Sequence, residues 1–333
     1  TDASGNASSL TLTTFVVDTT SPTAAITYDA VAPFKNGDAA VTITATFNGP
    51  VLDSPVPTIA IAGSGIANVT STNMTKVSTT VYTYSYAVPT GDGTGTVTVG
   101  TGTDAAGNTV TSVPTSGATF TVDNTAPTIS AVTQVVTPSN DTTPSYVFTT
   151  NEAGTITTNI TEGFSTSASA ANGNNTVTFN TLGEGTYASK TVTVTDASGN
   201  ASSLTLTTFV VDTTAPTGAI TYSAASPYKQ GATATVTATF TEALTTTPKI
   251  AISGVSSVAA TNMTSTGSAN IWTYAYTAPA GNGTDTFAFS VGTDASGNVV
   301  TAAPTSGATV TVDNTSPTIS AVTQVVTPSN DTT

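Results

Sequence analysis

The sequence predicts an all-β chain in which several small β-sandwiches follow one another. The 333 residues suffice for about three domains of roughly 100 residues each. Apolar and polar residues alternate with period 2 in short runs, and no helical periodicity occurs. Long stretches recur nearly unchanged at an offset of about 190 to 194 residues. Together these observations indicate tandem repeats of β-structure.

The composition fits half-exposed strands with neutral polar surfaces. Hydrophobic residues make up 38% of the chain, which is enough for several small cores. Charged residues make up only 7%, well below the usual quarter, and Thr and Ser take their place. Thr is β-branched and suits a pleated surface that is partly exposed.

The composition also excludes several kinds of chemistry. The chain has no Cys and no His, which excludes disulfides, thiolate sites and the commonest general base. Its net charge is −14, from 5 basic and 19 acidic residues, so electrostatics oppose binding to nucleic acid or to an anionic membrane. An acidic surface of this kind suits hard cations instead. The sequence contains no run of about 18 apolar residues, so no membrane span is predicted, and no signal peptide is visible.

Two kinds of unit alternate along the chain, one longer than the other. Residues 1–20 recur as residues 195–214, and the chain opens within this repeated pattern, so we expect the natural termini to lie elsewhere. The predicted boundaries are residues 1–18 for the last strand of a preceding short unit, 19–123 for a long unit, 124–212 for a short unit, 213–313 for a second long unit and 314–333 for the first strand of the next short unit.

Each unit is predicted to contain about seven strands. Gly, Pro, Asn and Asp interrupt the alternating runs about every 8 to 12 residues, as in KNGD and PTGDGTG. Short alternating strands with this spacing are typical of the immunoglobulin-like sandwich. In the first long unit the clearest runs are 40–47, 81–88, 95–104 and 118–123.

Two short motifs recur with the units. The turn motif, T-D-A-[SA]-G-N, joins two alternating runs and therefore predicts a hairpin turn in which Gly supplies the positive φ. The linker motif, V-D-[TN]-T-[AS]-P-T, ends one unit and opens the next, and its Pro stiffens the connection. The turn motif contains Asp2, Asp104, Asp196 and Asp294, and the linker motif contains Asp18, Asp123, Asp212 and Asp313.

The motifs TDASGN and VVDTTAPT, with SNDTTPSYVFTTNEAGTI and SPYKQGATATVTATFTEAL, resemble the bacterial immunoglobulin-like repeats of giant cell-surface adhesins and surface-layer proteins. The resemblance covers essentially the whole chain. It implies tandem sandwiches of two alternating types arranged as an elongated rod. In several such adhesins calcium rigidifies the junctions between domains through Asp residues, so the resemblance also implies Ca²⁺ here.

The topology of a seven-strand sandwich supports the same idea independently. The turn motif lies between the last two strands, at the pole where the first strand enters. Each turn Asp should therefore approach the linker Asp that precedes its unit, which pairs Asp104 with Asp18, Asp196 with Asp123, and Asp294 with Asp212. The loop between the second and third strands should add a third carboxylate. We assign Glu152 and Glu242 to this role, and in the first long unit Asn48 at the matching place, followed by Asp53.

Carboxylates that converge without Lys or Arg repel one another. At about 4 Å and an effective dielectric constant near 20, each pair costs on the order of 4 kcal/mol. Ca²⁺ takes six to eight oxygen ligands and would turn this repulsion into attraction. The alternative is that Asp only forms turns, since its side chain bonds to nearby backbone N–H groups. We predict Ca²⁺ at the junctions and retain turn formation as the alternative.

The aromatic rows have two interpretations. Tyr82, Tyr84 and Tyr86 lie on one face, as do Trp272, Tyr274 and Tyr276 in the second long unit. A row of this kind can stack sugars, but it is more often part of a core, which is our prediction.

The expected function is structural. Because no catalytic constellation is present, we expect no enzyme, and we predict a calcium-stiffened stalk of an adhesin, or a subunit of a surface layer or fibre, outside the cell. The expected partners are neighbouring repeats and lateral copies of the same chain. The alternative is a module that binds a glycan or a protein. The near-identity of the copies argues against it, because a specific binding surface has no need of repetition.

Overall fold

The structure, a computed structural model, describes residues 1–322. Those residues contain 25 β-strands and no α-helix. Within the same range, no helix is long and apolar enough to span a membrane. The prediction of an all-β chain of tandem sandwiches is therefore confirmed.

The first long unit is a sandwich of two four-stranded antiparallel sheets, with strand orders β1-β2-β6-β5 and β4-β3-β7-β8. The predicted runs all form strands within it. Its strands are β1 (Ala24–Tyr28), β2 (Val41–Phe47), β3 (Thr58–Ser64), β4 (Val69–Asn73), β5 (Thr75–Lys76), β6 (Val81–Tyr86), β7 (Gly93–Gly100) and β8 (Thr119–Val122).

The short unit uses three sheets. A three-stranded sheet (β13-β10-β9) faces a four-stranded sheet (β12-β11-β15-β16), and β14 pairs with β17. Its strands are β9 (Ile129–Thr133), β10 (Ser145–Thr150), β11 (Gly154–Thr158), β12 (Ser169–Ala170), β13 (Gly173–Thr178), β14 (Gly185–Tyr187), β15 (Thr191–Thr195), β16 (Ala201–Thr205) and β17 (Phe209–Val211).

The second long unit repeats the topology of the first, with sheets β18-β19-β23-β22 and β21-β20-β24-β25. Its strands are β18 (Gly218–Tyr222), β19 (Thr233–Phe240), β20 (Lys249–Gly254), β21 (Val258–Asn262), β22 (Thr264–Ser265), β23 (Ile271–Thr277), β24 (Gly283–Ser290) and β25 (Thr309–Val312).

Each unit has its own hydrophobic core, built from the inward-facing residues of its strands. The aromatic rows belong to these cores. Tyr82 and Tyr86 are 0% and 2% exposed, and Trp272 and Tyr276 occupy the equivalent positions in the second long unit. Tyr84 and Tyr274, in the middle of each row, are half-buried and pack against the cores, so the core interpretation is confirmed for the two outer members of each row.

The first 22 residues form no strand and are largely exposed, although residues 1–20 have the same sequence as residues 195–214. Phe15 is 86% exposed, whereas its copy Phe209 in β17 is 1% exposed. A strand needs neighbours for its backbone hydrogen bonds, and the described chain supplies none for residues 1–18. The strand expected over residues 314–333 lies mostly outside the described residues, and residues 314–322 form none.

Candidate metal centre at the joints between units

The turn motif folds as the predicted turn, and it follows β7 in the first long unit, β15 in the short unit and β24 in the second long unit. In the short unit it connects β15 and β16, and Gly199 has a φ of 85°. The Asp196 carboxylate holds the turn together, because one oxygen accepts the N–H groups of Ser198 (2.8 Å) and Asn200 (2.9 Å), and the other accepts the Asn200 side-chain amide (2.9 Å). The turn-forming role of this Asp is therefore real.

The linker motif begins directly after the last strand of each unit. Asp123 follows β8 and Asp212 follows β17. Each carboxylate accepts the N–H two residues later, from Thr125 at 3.0 Å and from Thr214 at 3.1 Å. The linker Asp is thus fixed at the start of the connection, on the side that faces the next unit.

Polar contacts from the turn motif cross each joint to the linker motif. In what we call the second joint, defined by Asp123, Glu152 and Asp196, the Asn200 amide donates to the Asp123 carbonyl (3.1 Å) and the Ser198 hydroxyl donates to the Asp123 carboxylate (3.1 Å). These contacts bring the two Asp residues together.

The third joint, defined by Asp212, Glu242 and Asp294, repeats the arrangement. The Asn298 amide donates to the Asp212 carbonyl (2.8 Å), and the Ser296 hydroxyl donates to the Asp212 carboxylate (2.8 Å). Because the same contacts recur at joints of opposite order, the geometry belongs to the motifs rather than to either type of unit.

At both joints a Glu from the loop after the second strand completes a cluster of three carboxylates. Glu152 follows β10, and Glu242 follows β19. Each of the three residues offers one oxygen, and these oxygens lie within 4.8 Å of one another in each cluster. The structure therefore brings together the trios expected from the sequence, Asp123, Glu152 and Asp196 at one joint and Asp212, Glu242 and Asp294 at the other.

The carboxylates of each cluster influence one another electrostatically. Burial raises the pKa of Glu152, and the nearby charges of Asp196 and Asp123 raise it further. The pKa of Glu242 is raised for the same reasons, by burial first and then by Asp212 and Asp294. Each Glu thus pays an electrostatic penalty for its ionised form, which a cation bound between the carboxylates would remove.

The described residues provide no ammonium partner for these clusters. Within residues 1–322 the sole ion pair joins Lys76 to Asp53, at 2.6 Å. Asp53 also accepts a hydrogen bond from the Tyr82 hydroxyl (2.9 Å). The expected metal-ligating role of Asp53 has no support in this geometry, because its carboxylate is engaged by a Lys and a Tyr and belongs to neither cluster.

The first joint, formed by Asp18 and Asp104, differs from the other two. Asn48 does not match the Glu positions, because its side chain accepts the Thr23 N–H (2.9 Å) just as Asn151 accepts the Thr128 N–H (2.7 Å). The residue that follows each Asn is Glu152 in the short unit and Gly49 in the first long unit. The assignment of Asn48 is thus corrected by one residue: Gly49 occupies the place of the Glu.

The remaining predicted residues lie at the two ends of the described chain. Asp2 forms the same capped turn as the other copies, and its carboxylate accepts the N–H groups of Ser4 (3.0 Å) and Asn6 (2.9 Å). Asp313 accepts the Thr315 N–H (2.8 Å) as the other linker Asp residues do. Neither Asp2 nor Asp313 belongs to a cluster of three carboxylates within residues 1–322.

Sequence reasoning missed a set of contacts that hold the linkers. Asp92 accepts the Asn124 N–H (2.5 Å) and the Thr125 hydroxyl, and these donors lower its pKa. Glu184 accepts the hydroxyls of Thr213 and Thr214 (3.1 and 2.7 Å), which likewise lower its pKa. The second long unit repeats the Asp92 contacts with an amide, because Asn282 stands at the same place and bonds to Asn314 and Thr315. The recurrence of PTGDGTG as PAGNGTD was the available signal.

A lysine side chain also makes a contact across the second joint. The Lys35 ammonium donates to the Gly199 carbonyl at 2.8 Å. The contact joins the turn after β1 of the long unit to the turn motif of the short unit, and adds a direct bond between the two sandwiches. Lys recurs at this place as Lys229 in the second long unit, but the sequence gives no sign of a contact across a joint.

No family model and no curated protein matches this chain. Among solved structures, the match to an I-band fragment of titin covers 89% of this chain and 98% of the titin fragment, with 12% identity and a TM-score of 0.40. Three N-terminal domains of the outer capsid protein Hoc of bacteriophage RB49 cover 85% and 99%, with 14% identity and a TM-score of 0.32. A protein from Corynebacterium diphtheriae described as membrane-anchored covers 91% and 97%, with 12% identity and a TM-score of 0.21. Likenesses this distant carry no functional information.

Proposed function

We propose that this chain is a non-catalytic structural region of a long extracellular surface protein, in which Ca²⁺ at the joints stiffens a stalk of immunoglobulin-like units. The stalk would belong to an adhesin, a surface layer or a fibre. The observation that carries the proposal is the recurrence of one three-carboxylate cluster at two successive joints.

The position of the clusters supports a mechanical role. Each cluster takes its linker Asp from the end of one unit and its turn Asp and Glu from the next. A cation held by all three would therefore tie the two units to each other directly. Hard oxygen donors of this kind suit Ca²⁺, with backbone carbonyls and water available to complete its shell.

Within residues 1–322, the distribution of the acidic and aromatic side chains fits the structural interpretation. The acidic residues are repeated once per joint rather than gathered in one unrepeated cleft. Most of the aromatic side chains, which a sugar-binding face would expose, are buried in the cores instead. A region that only sets distance and stiffness needs neither an acidic cleft nor an exposed aromatic face.

A calcium titration of the chain tests the proposal. Isothermal titration calorimetry should give two Ca²⁺ per chain, and small-angle scattering should give a longer maximum dimension with Ca²⁺ than with EGTA. Glu152→Gln and Glu242→Gln should each remove one site, because each takes one carboxylate from a cluster. Glu162→Gln, which removes a charge away from the clusters, is the matched control and should leave both sites intact.

Two results would overturn the calcium proposal. One is a native chain that takes up no Ca²⁺. The other is equal loss of binding in Glu162→Gln and Glu152→Gln, which would indicate diffuse attraction to an acidic surface rather than ligation. In either case the Asp residues act as turn formers alone, and the Pro-containing linkers set the shape.

A further inference from the structure

The three joints are not equivalent, and the first joint lacks two groups that the others share. Its third carboxylate is absent because Gly49 stands where Glu152 and Glu242 stand in the later units. Its cross-joint hydroxyl is also absent, since Ala106 replaces the Ser of the turn motif. Both departures fall in one unit and at one joint.

The missing hydroxyl removes a specific contact. At the second and third joints this Ser donates to the linker carboxylate, at 3.1 Å to Asp123 and at 2.8 Å to Asp212. At the first joint Ala106 has no hydroxyl, and the direct bond that remains from the turn motif is the Asn108 amide to the Asp18 carbonyl, at 3.1 Å.

The missing carboxylate leaves space. A cavity of about 180 Å³ lies between Asp18, Asn48, Gly49 and Asp104. A Cβ added to Gly49 would meet nothing within 4 Å, and its backbone is not in the left-handed region that favours Gly. A Glu would therefore fit at this position, so the fold does not require Gly there.

From this comparison we propose that the first joint is a compliant one, which stays flexible at Ca²⁺ concentrations that lock the second and third joints. The proposal rests on the proposed function, because it assigns different cation affinities to the joints. With two carboxylates instead of three and one fewer cross-joint hydrogen bond, the first joint has fewer ligands for Ca²⁺ and fewer contacts that hold the linker against the unit that follows. The array would then contain stiff stretches separated by hinges.

The test transplants the difference in both directions. Glu242→Gly with Ser296→Ala gives the third joint the residues of the first, and both flanking units of that joint are complete. Because the chain has no Cys, spin labels can be placed at Thr157→Cys in β11 and Thr286→Cys in β24, two exposed strand positions on either side of the joint. The distance between the labels is measured by pulsed electron resonance in Ca²⁺ and in EGTA.

In Ca²⁺ we expect a narrow distribution of distances for the native joint and a broad one for the transplant. EGTA should broaden the native distribution. In the reverse direction, Gly49→Glu with Ala106→Ser should raise the calorimetric stoichiometry from two Ca²⁺ per chain to three. Glu162→Gln again serves as the control for charge.

The outcomes separate the two proposals. A transplant that stays as narrow as the native joint in Ca²⁺, or a Gly49→Glu, Ala106→Ser variant that still binds two ions, overturns the compliant joint while leaving the calcium sites standing. A native distribution that does not respond to EGTA overturns the calcium proposal itself.

Discussion

The buried carboxylate of Asp285 allows a direct test of how the second long unit is held together. It lies in β24 and is 0% exposed. It accepts three hydrogen bonds: the Ser256 N–H at 2.5 Å, the Ser256 hydroxyl, and the Tyr276 hydroxyl at 2.7 Å. A carboxylate so deep in a core is tolerated only when its oxygens are satisfied in this way.

The first long unit solves the same problem with an aromatic ring. Gly95 stands at the position of Asp285, and it faces Phe120 on β8 as Asp285 faces Val310 on β25. A Cβ on Gly95 would lie 2.4 Å from the Phe120 ring, so the ring fills the space above the Gly. Apolar packing in one copy thus replaces a polar network in the other.

Asp285→Gly should destabilise the second long unit by about 2–4 kcal/mol. The change leaves three buried donors without an acceptor, at about 1–3 kcal/mol each, and adds up to about 1 kcal/mol from the freedom of Gly. Part of this is offset, because removing the carboxylate relieves a desolvation penalty of several kcal/mol. At about 4–8 °C per kcal/mol for a domain of this size, the melting temperature falls by about 8 °C or more.

The chain contains its own reporter for this unit. Trp272 is the single Trp of the sequence and lies 8% exposed in the same core, so its fluorescence follows the unfolding of the second long unit alone. Adding Val310→Phe to Asp285→Gly supplies the ring of the first copy and should recover part of the loss, whereas Val310→Phe alone should overpack the native core. Native stability in Asp285→Gly, or strictly additive effects of the two changes, would refute this account.

Three further predictions concern the joints and the cores. Burial and neighbouring acids raise the pKa of Glu152 and Glu242, so the folded joints take up protons more readily than the unfolded chain. As the pH drops from about 7.5 to about 5, Ca²⁺ affinity should therefore fall and the stability of the calcium-free chain should rise. Titration calorimetry and thermal unfolding at both pH values check this, and a Ca²⁺ affinity independent of pH would contradict it. Gly199→Ala should destabilise the short unit by about 1–2 kcal/mol, because a residue with a Cβ is strained at the φ of 85°. Gly49→Ala should leave the stability unchanged. Denaturant titration of both variants checks this, and equal effects would show that the turn conformation is not the cause. Tyr86→Phe should be neutral or stabilising by about 1 kcal/mol, because its buried hydroxyl has no hydrogen-bond partner among residues 1–322. A clear loss of stability in differential scanning calorimetry would contradict this.

The sequence predicted those features that are local or repeated. Period-2 runs became strands, and the turn motif became a capped hairpin with Gly at positive φ. The approach of Asp196 to Asp123 also followed from sequence, because the topology of a sandwich places the last turn and the entering linker at one pole. Such features depend on short spacings or on the connectivity of the fold.

Other features depended on exact register or on unrepeated residues, and these were missed. The loop after β2 was misaligned by one residue, which assigned to Asn48 the place that belongs to Gly49; only the hydrogen bond from Thr23 fixes the register. Asp53 was assigned as a metal ligand, but its carboxylate pairs with Lys76, which the sequence did not indicate. The network of Asp285 could not be predicted, because its donors come from β23 and from the loop between β20 and β21, far apart in sequence, and the first copy has Gly95 in place of the acid.

The cross-joint contacts have a consequence for how such a gene can change. The Asn and Ser contacts of the turn motif are the same at the long-to-short second joint as at the short-to-long third joint. A duplication or deletion that joins the short unit and the second long unit in either order therefore rebuilds these contacts, whereas one that brings in the first long unit also brings Gly49 and Ala106 to the new joint. In the proposed stalk, recombination would then adjust the length in steps of one unit and, with it, the number of compliant joints.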